Sequence, residues 1–304
     1  MERELWPLLY RELRVCALDF HTKYVQFHPW VLIAVYLWAA LHDRPICWAC
    51  DRLNWHGTTL TPGRLPSPST MSRRAYSVAV GMLWHTLELR LRQASGDHPA
   101  LISFLDGKPL PVGGYTTDTD ASYGHGAGMN AKGYKLHTIW SNRALPEEWE
   151  LTTLKTGETT VAGEMLNRIL PEQGLGGYLL GDGNYDANPV FDHAFTAGFQ
   201  LVVPNGKPNA GKGHHYQSPH RLRSIELMQS PRQVPSKSGF GRDLYKQRTS
   251  IERNFGNATS FGGGLGPLPA WVRTLHRVRI WVWAKLIVNA ARILRRKGLT
   301  AALQ

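Results

Sequence analysis

LISFLDG at residues 101–107 and GYLLGDG at residues 177–183 decide how this chain folds. Each is a short apolar run that closes on an aspartate followed by glycine. Each therefore reads as a buried strand that delivers a carboxylate, Asp106 or Asp182, near its end. An Asp-Gly pair also suits an ordinary turn, and either stretch taken alone is more often that.

Working outward, GYKLHTIW at residues 133–140 and EWELTTLK at residues 148–155 carry strand patterns. A helix follows, capped by Thr159 or Thr160, with Val161, Met165 or Leu166, and Ile169 on one face, and Pro171 ends it. After the second aspartate, residues 187–199 read as a helix with Asn188 as its cap and Pro189 in its first turn. FQLVVP at residues 199–204 reads as a strand. The order β-β-β-α-β-α-β predicts an α/β fold, a ribonuclease-H-like mixed sheet with helices on both faces. A generic doubly wound sheet is the alternative, but it does not begin with three strands that lack helices between them. In the ribonuclease-H-like order the first strand is central and the fourth lies beside it, so Asp106 and Asp182 are expected to face each other.

A third acid sits in YKQRTSIERNF at residues 245–255. Tyr245, Arg248 and Glu252 fall at i, i+3 and i+7, which predicts one continuous helical face. Arg248 and Glu252 at i, i+4 also suit a surface ion pair. Three carboxylates brought together repel unless cations neutralise them, and hard oxygen ligands suit Mg²⁺, with Mn²⁺ as a substitute. Such a site fits metal-assisted phosphoryl chemistry, with Arg248 as a planar fork for a DNA phosphate and Tyr245 as a hydroxyl donor or stacking face.

The charge distribution names the partner. The chain has 304 residues and a net charge of +12. Residues 201–304 hold 18 Lys and Arg against 3 Asp and Glu, while residues 1–200 hold 17 against 20. A basic half joined to a slightly acidic one suits a polyanion, here double-stranded DNA. Cys16, Cys47 and Cys50 are too few for a disulfide framework and suit a reducing, cytoplasmic setting. The Cys47–Cys50 pair reads as core-filling rather than as half of a zinc site. MERELW at the start lacks the apolar core of a signal peptide. The apolar run at residues 30–41 spans 12 residues, against about 20 for a membrane helix.

Two regions are expected: a helical one at residues 1–95, and the catalytic one at residues 100–304 with a basic insertion at about 205–241. In the first, Pro29 opens a helix to His42, another runs from Ile46 to Trp55, and Ser67 with Pro68 opens a long helix to about Gln93. The start of that long helix carries Ser69, Thr70, Arg73 and Arg74, the residue types a recognition helix presents to a DNA groove. An ordinary capped helix is the alternative. Asp118 and Asp120 read as turn residues, His137 as a packed strand residue, residues 204–223 as a DNA-contacting loop, and Trp271, Trp281 and Trp283 as anchors of a last helix.

Taken together, LDGKPLPV around Asp106, residues 118–140, LLGDGNYDANPVF around Asp182 and YKQRTSIERNF around Glu252 resemble bacterial insertion-sequence transposases of the Asp-Asp-Glu class. The resemblance spans roughly residues 100–295 and is nearest the subgroup with a Tyr-x2-Arg-x3-Glu-x6-Lys helix, whose final Lys falls on Thr259 here. It implies metal binding by Asp106, Asp182 and Glu252. It also implies contacts of Tyr245 and Arg248 with transposon-end DNA, and the adjacent Arg253 is a further candidate DNA contact. The implied reaction is cleavage at transposon ends and strand transfer of the freed 3′-hydroxyl into target DNA, by a homodimer or larger assembly. A DNA-binding remnant, or a nuclease of the same fold without strand transfer, are the other readings.

Overall fold

The computed structural model describes residues 2–20, 26–96, 101–113, 116–126, 129–169, 175–204, 216–228, 240–259 and 264–299. In chain order come α1 (Glu2–Cys16), α2 (Pro29–Leu41), α3 (Ile46–Ala49), α4 (Pro68–Arg74) and α5 (Val78–Gln93). The strands β1 (Ile102–Pro111), β2 (Ser122–Gly126), β3 (Met129–Trp140) and β4 (Glu148–Thr153) follow. Then come α6 (Glu158–Arg168), β5 (Gly177–Leu180), α7 (Asn188–Thr196) and β6 (Phe199–Val202). The chain continues with α8 (Pro219–Met228), α9 (Phe240–Lys246), α10 (Thr249–Thr259) and α11 (Leu275–Arg296). It divides into two compact units, Met1–Asp97 with Asn257–Gln304, and His98–Gly256. Residues 257–304, grouped by the sequence with the catalytic region, thus pack with α1–α5.

The helical unit is built on α2. All of its residues except Trp30 are buried, because its sequence PWVLIAVYLWAAL is apolar on every side. Trp6, Trp38 and Trp55 form an aromatic cluster beside it, with centroids 4.8–5.5 Å apart. The buried ammonium of Lys285 on α11 donates to Ala40 O at 2.6 Å and pairs with Asp43, closing the C-terminal end of α2. The long helix expected over residues 67–93 is broken at Ala75–Ser77 into α4 and α5. Ser67 caps as expected, accepting from Thr70 N at 3.2 Å, but the Arg74 guanidinium turns back to Phe27 O at 2.8 Å, and extended Ser77 restarts the helix. The Ile46–Trp55 helix is likewise shorter, α3 followed by a 3-10 turn at Arg52–Trp55. Cys47 is exposed rather than core-filling, and Trp271 is 44 % exposed while Trp281 is buried.

The second unit holds a six-stranded mixed sheet, ordered β2-β3-β1-β5-β6, with β4 also paired to β3. Central β1 runs antiparallel to β3 and parallel to β5, and β5 runs parallel to β6. β2 and β4 pair with successive stretches of β3, at Met129–Gly133 and at Tyr134–Ile139. Leu105, Ile139, Leu179 and Leu201 bury one sheet face against Val161, Met165 and Leu166 of α6 and Val190 and Phe191 of α7. This is the expected ribonuclease-H-like arrangement, with one strand more. SYGHG at Ser122–Gly126 is glycine-rich and carries no strand pattern of its own, yet pairing with β3 makes it a strand. α7 begins at Asn188 with Ala187 at its cap, and the Asn188 side chain instead binds Tyr216 O and Ser218 N. Within the expected insertion, Pro219–Met228 is helical, and residues 205–215 and 229–239 lie outside the described residues. No helix among the described residues is long and apolar enough to cross a membrane.

Gly133 permits the crowded centre of this sheet, since a β-carbon there would stand 2.4 Å from Leu110 O and 2.9 Å from Pro111 Cα. These contacts are backbone atoms of β1, so nothing flexible is there to yield. Gly133→Ala is expected to destabilise the protein by roughly 2–3 kcal/mol, measured as a lowered urea midpoint with an unchanged slope.

Candidate active site

Strand register brings the two aspartates together. Phe104 lies opposite Leu180 in the parallel β1–β5 pair, and Asp106 and Asp182 each follow two residues later. Side chains alternate across a sheet, so both point away from the face that buries Leu105 and Leu179. Asp106 Oδ1 accepts from Gly107 N at 2.8 Å. Asp182 caps a one-turn 3-10 helix, Gly183–Tyr185, accepting from Asn184 N at 2.9 Å. Arg248 reaches between them, with Nη2 3.3 Å from Asp106 Oδ2 and 3.9 Å from Asp182 Oδ2.

Burial raises both carboxyl groups above the usual aspartate range, and the negative charge of Glu158 pushes each further; for Asp106 the charge of Asp182 does so too. Arg248 opposes the rise without cancelling it. Tyr245 is half-buried and its phenol is raised, first by burial and then by the negative charges of Asp182 and Asp106, with Arg248 opposing.

Glu252 does not join them. The continuous helical face expected for Tyr245, Arg248 and Glu252 is broken between α9 and α10. Tight turns replace it, with Arg248 N bonded to Tyr245 O at 2.9 Å and Ile251 N to Arg248 O at 3.0 Å. Beyond these turns, α10 seats Ile251 and Phe255 in the core, and Phe255 meets Trp140 edge-on at 5.9 Å. Asn254 donates to Ser141 O at 3.1 Å. Glu252 and Arg253 are left exposed and, among the described residues, form no hydrogen bond or ion pair. Thr259 is the last residue of α10. Among the described residues no group of three or more His, Cys, Asp or Glu is close enough to hold a metal ion.

Three site neighbours escape the sequence reading. Lys135 Nζ pairs with Glu158 Oε1 at 2.7 Å, and both lie against the backbone after Asp106. A β-carbon at Gly107 would stand 3.1 Å from Lys135 Cδ and 3.4 Å from Glu158 Oε1. Tyr185 is 1 % exposed and sits three residues after Asp182. Lys135 gave one signal, a charge on a strand with apolar neighbours. His137 is packed as expected, bonded to Thr152 Oγ1 at 2.9 Å, and burial holds its pKa down at about 4. Asp118 is structural as expected, accepting from the Tyr134 hydroxyl at 2.8 Å.

The other expected DNA contacts lie in the helical unit. On α4, Ser69 and Arg73 are exposed and Thr70 is half-buried, while Arg74 is engaged with Phe27 O.

The family model described as a transposase DDE domain matches residues 97–288, taking in both aspartates, Arg248 and Glu252. This chain belongs to the DDE transposase family. No curated protein and no solved structure gives a significant match. The transposase match begins with the sheet unit and runs on through most of α11, so the family segment takes in parts of both compact units.

In this transposase the aspartate pair costs stability. A carboxyl raised in the folded state binds its proton more readily there than in the unfolded chain. The penalty is full above the folded pKa and is relieved as pH falls through it. Asp182→Asn is therefore expected to raise the metal-free melting temperature at pH 7 by a few degrees, and the gain is expected to shrink on acidification toward pH 4. Scanning calorimetry across that range checks both.

Proposed function

We propose that this transposase cuts DNA at its transposon ends and transfers the freed 3′-hydroxyl into target DNA, using Asp106, Asp182 and Glu252 to hold Mg²⁺ or Mn²⁺. The convergence of Asp106 and Asp182 on one arginine, inside the family segment, carries the proposal. The donor set fits a hard divalent cation: two aspartate carboxylates at adjacent strand ends, both raised in pKa by burial, with Arg248 opposing the rise without cancelling it. When bound, the metal would polarise the scissile phosphate and favour the deprotonated attacking oxygen.

The chain's own residues supply the rest. Arg248, released from the aspartates, offers its fork to a phosphate, and Tyr245 beside it offers a hydroxyl. Glu252 is exposed one turn after Arg248, so its role requires the α9–α10 turn to bring it inward. Arg253 faces solvent next to it, placed for backbone contact. Ser69, Thr70, Arg73 and Arg74 on α4 serve the transposon end, with the first 95 residues as the end-binding region and residues 100–304 as the catalytic one. Arg74 can do so only by giving up its bond to Phe27 O. Joining two ends calls for two copies of the chain on DNA.

Incubation with a plasmid carrying the gene and its flanking DNA tests this. Mg²⁺-dependent cuts at discrete flanking positions, followed by joined products, are expected. Asp182→Asn should lower cutting by at least about a thousandfold, the scale of losing an essential catalytic group, while retaining DNA binding. Undiminished cutting by Asp182→Asn refutes the site. Cutting without joining identifies a nuclease, and binding without cutting identifies a remnant.

A further inference from the structure

Lys108 is a cation on the aspartate face of the sheet that, among the described residues, no anion holds. It follows Asp106 by two residues on β1, and the β1–β3 register is unbroken there, with Asp106 opposite Thr138 and Lys108 opposite Leu136. Side chains alternate along a strand, so Lys108 shares the face of Asp106, about 6.6 Å further along. A ring contact fixes that side independently. The Lys108 ammonium lies 5.7 Å from the centre of the Phe255 ring on α10. Phe255 also meets Trp140, which stands two residues beyond Thr138 on the same face of β3.

The surroundings leave that charge unmet. Lys108 is half-buried, and among the described residues it forms no hydrogen bond or ion pair. Leu110, Leu136 and Phe255, its neighbours on this face, are buried and apolar. A ring at 5.7 Å stands near the outer limit of about 6 Å for a cation–π contact, which attracts an ammonium without neutralising it. Arg248 differs, because Asp106 and Asp182 already hold it at 3.3 and 3.9 Å. A partly desolvated ammonium between apolar walls gains from any anion that reaches it. Lysine also presents a compact charge with three donors on a flexible stem, which suits a single phosphate oxygen.

We propose that Lys108 is a substrate-binding residue of the active site, its ammonium gripping a DNA backbone phosphate next to the one that lies at Asp106 and Asp182. The inference rests on the DNA-cutting role proposed above for the two aspartates. A strand seated at the carboxylates carries its neighbouring phosphate past a side chain two residues along β1. The contact fixes the register of the strand against the aspartates and reads no base, so it carries no sequence preference.

The test is binding of the full chain to fluorescent duplexes taken from the DNA that flanks its gene, titrated over a range of salt. Ca²⁺ replaces Mg²⁺ as the oxygen-seeking cation. Wild type, Lys108→Met and Lys108→Arg are compared, with melting temperatures measured alongside. Lys108→Met keeps an unbranched apolar stem and drops the charge. Its plot of log affinity against log salt should be shallower by about one. Its affinity should fall about eightfold at about 0.1 M salt, which corresponds to one counterion no longer released. Lys108→Arg should keep the wild-type slope. An unchanged slope and affinity in Lys108→Met overturns the inference. So does Lys108→Arg that binds as weakly as Lys108→Met, since charge would then not be the cause. Lys108→Met that melts lower at an unchanged slope marks the ammonium as a prop for Phe255 and overturns it too. Wild type that binds no flanking duplex overturns the DNA reading beneath.

Discussion

The parallel pairing of β1 with β5 is the constraint on which the site depends. It sets Phe104 opposite Leu180, and two residues further along each strand it sets one aspartate beside another. The pairing is held by the face that does no chemistry. Leu105 and Leu179 are fully buried against α6 and α7, and that burial forces like charges together on the opposite face. The energetic logic is asymmetric: apolar burial at about 25 cal/mol per Å² is spread over a whole layer, while the repulsion is confined to one pair.

Arg248 relieves that repulsion in the metal-free chain, and this explains the shape of the segment around it. The helical run breaks between α9 and α10 at Arg248, the residue that turns to the two carboxylates. The break turns Glu252 outward while Ile251 and Phe255 keep α10 seated on the sheet unit.

The supporting layer is as specific as the carboxylates. Lys135 and Glu158 pair tightly across the strand that bears Asp106, and the missing β-carbon of Gly107 lets them lie there. Arg221 of α8 forks onto Asp186 at 2.6 and 2.9 Å, four residues after Asp182, and so ties the basic segment to the aspartate turn. Charged groups this close to a sheet core persist because each has a partner in place, which is the usual condition for burying them.

The aspartates were legible because apolar runs ending in Asp are local patterns, and so were the mixed sheet and its strand order, since alternation and chain connectivity leave few arrangements. β2 was not, because glycine-rich SYGHG has no strand preference until β3 offers it partners. The helix breaks at Ala75–Ser77 and at Arg248 were not, because spacing counts residues and cannot see Arg74 drawn to Phe27 O or Arg248 drawn to two carboxylates. Lys135, Glu158 and Tyr185 lie 29, 52 and 79 residues from Asp106 in the chain, and only folding brings them to it. The sequence by itself thus determined the family, the sheet and two of its acids, all short-range signals. Tertiary structure decided where charges find partners, because electrostatic and hydrogen-bond energies depend on distance through space and not on distance along the chain.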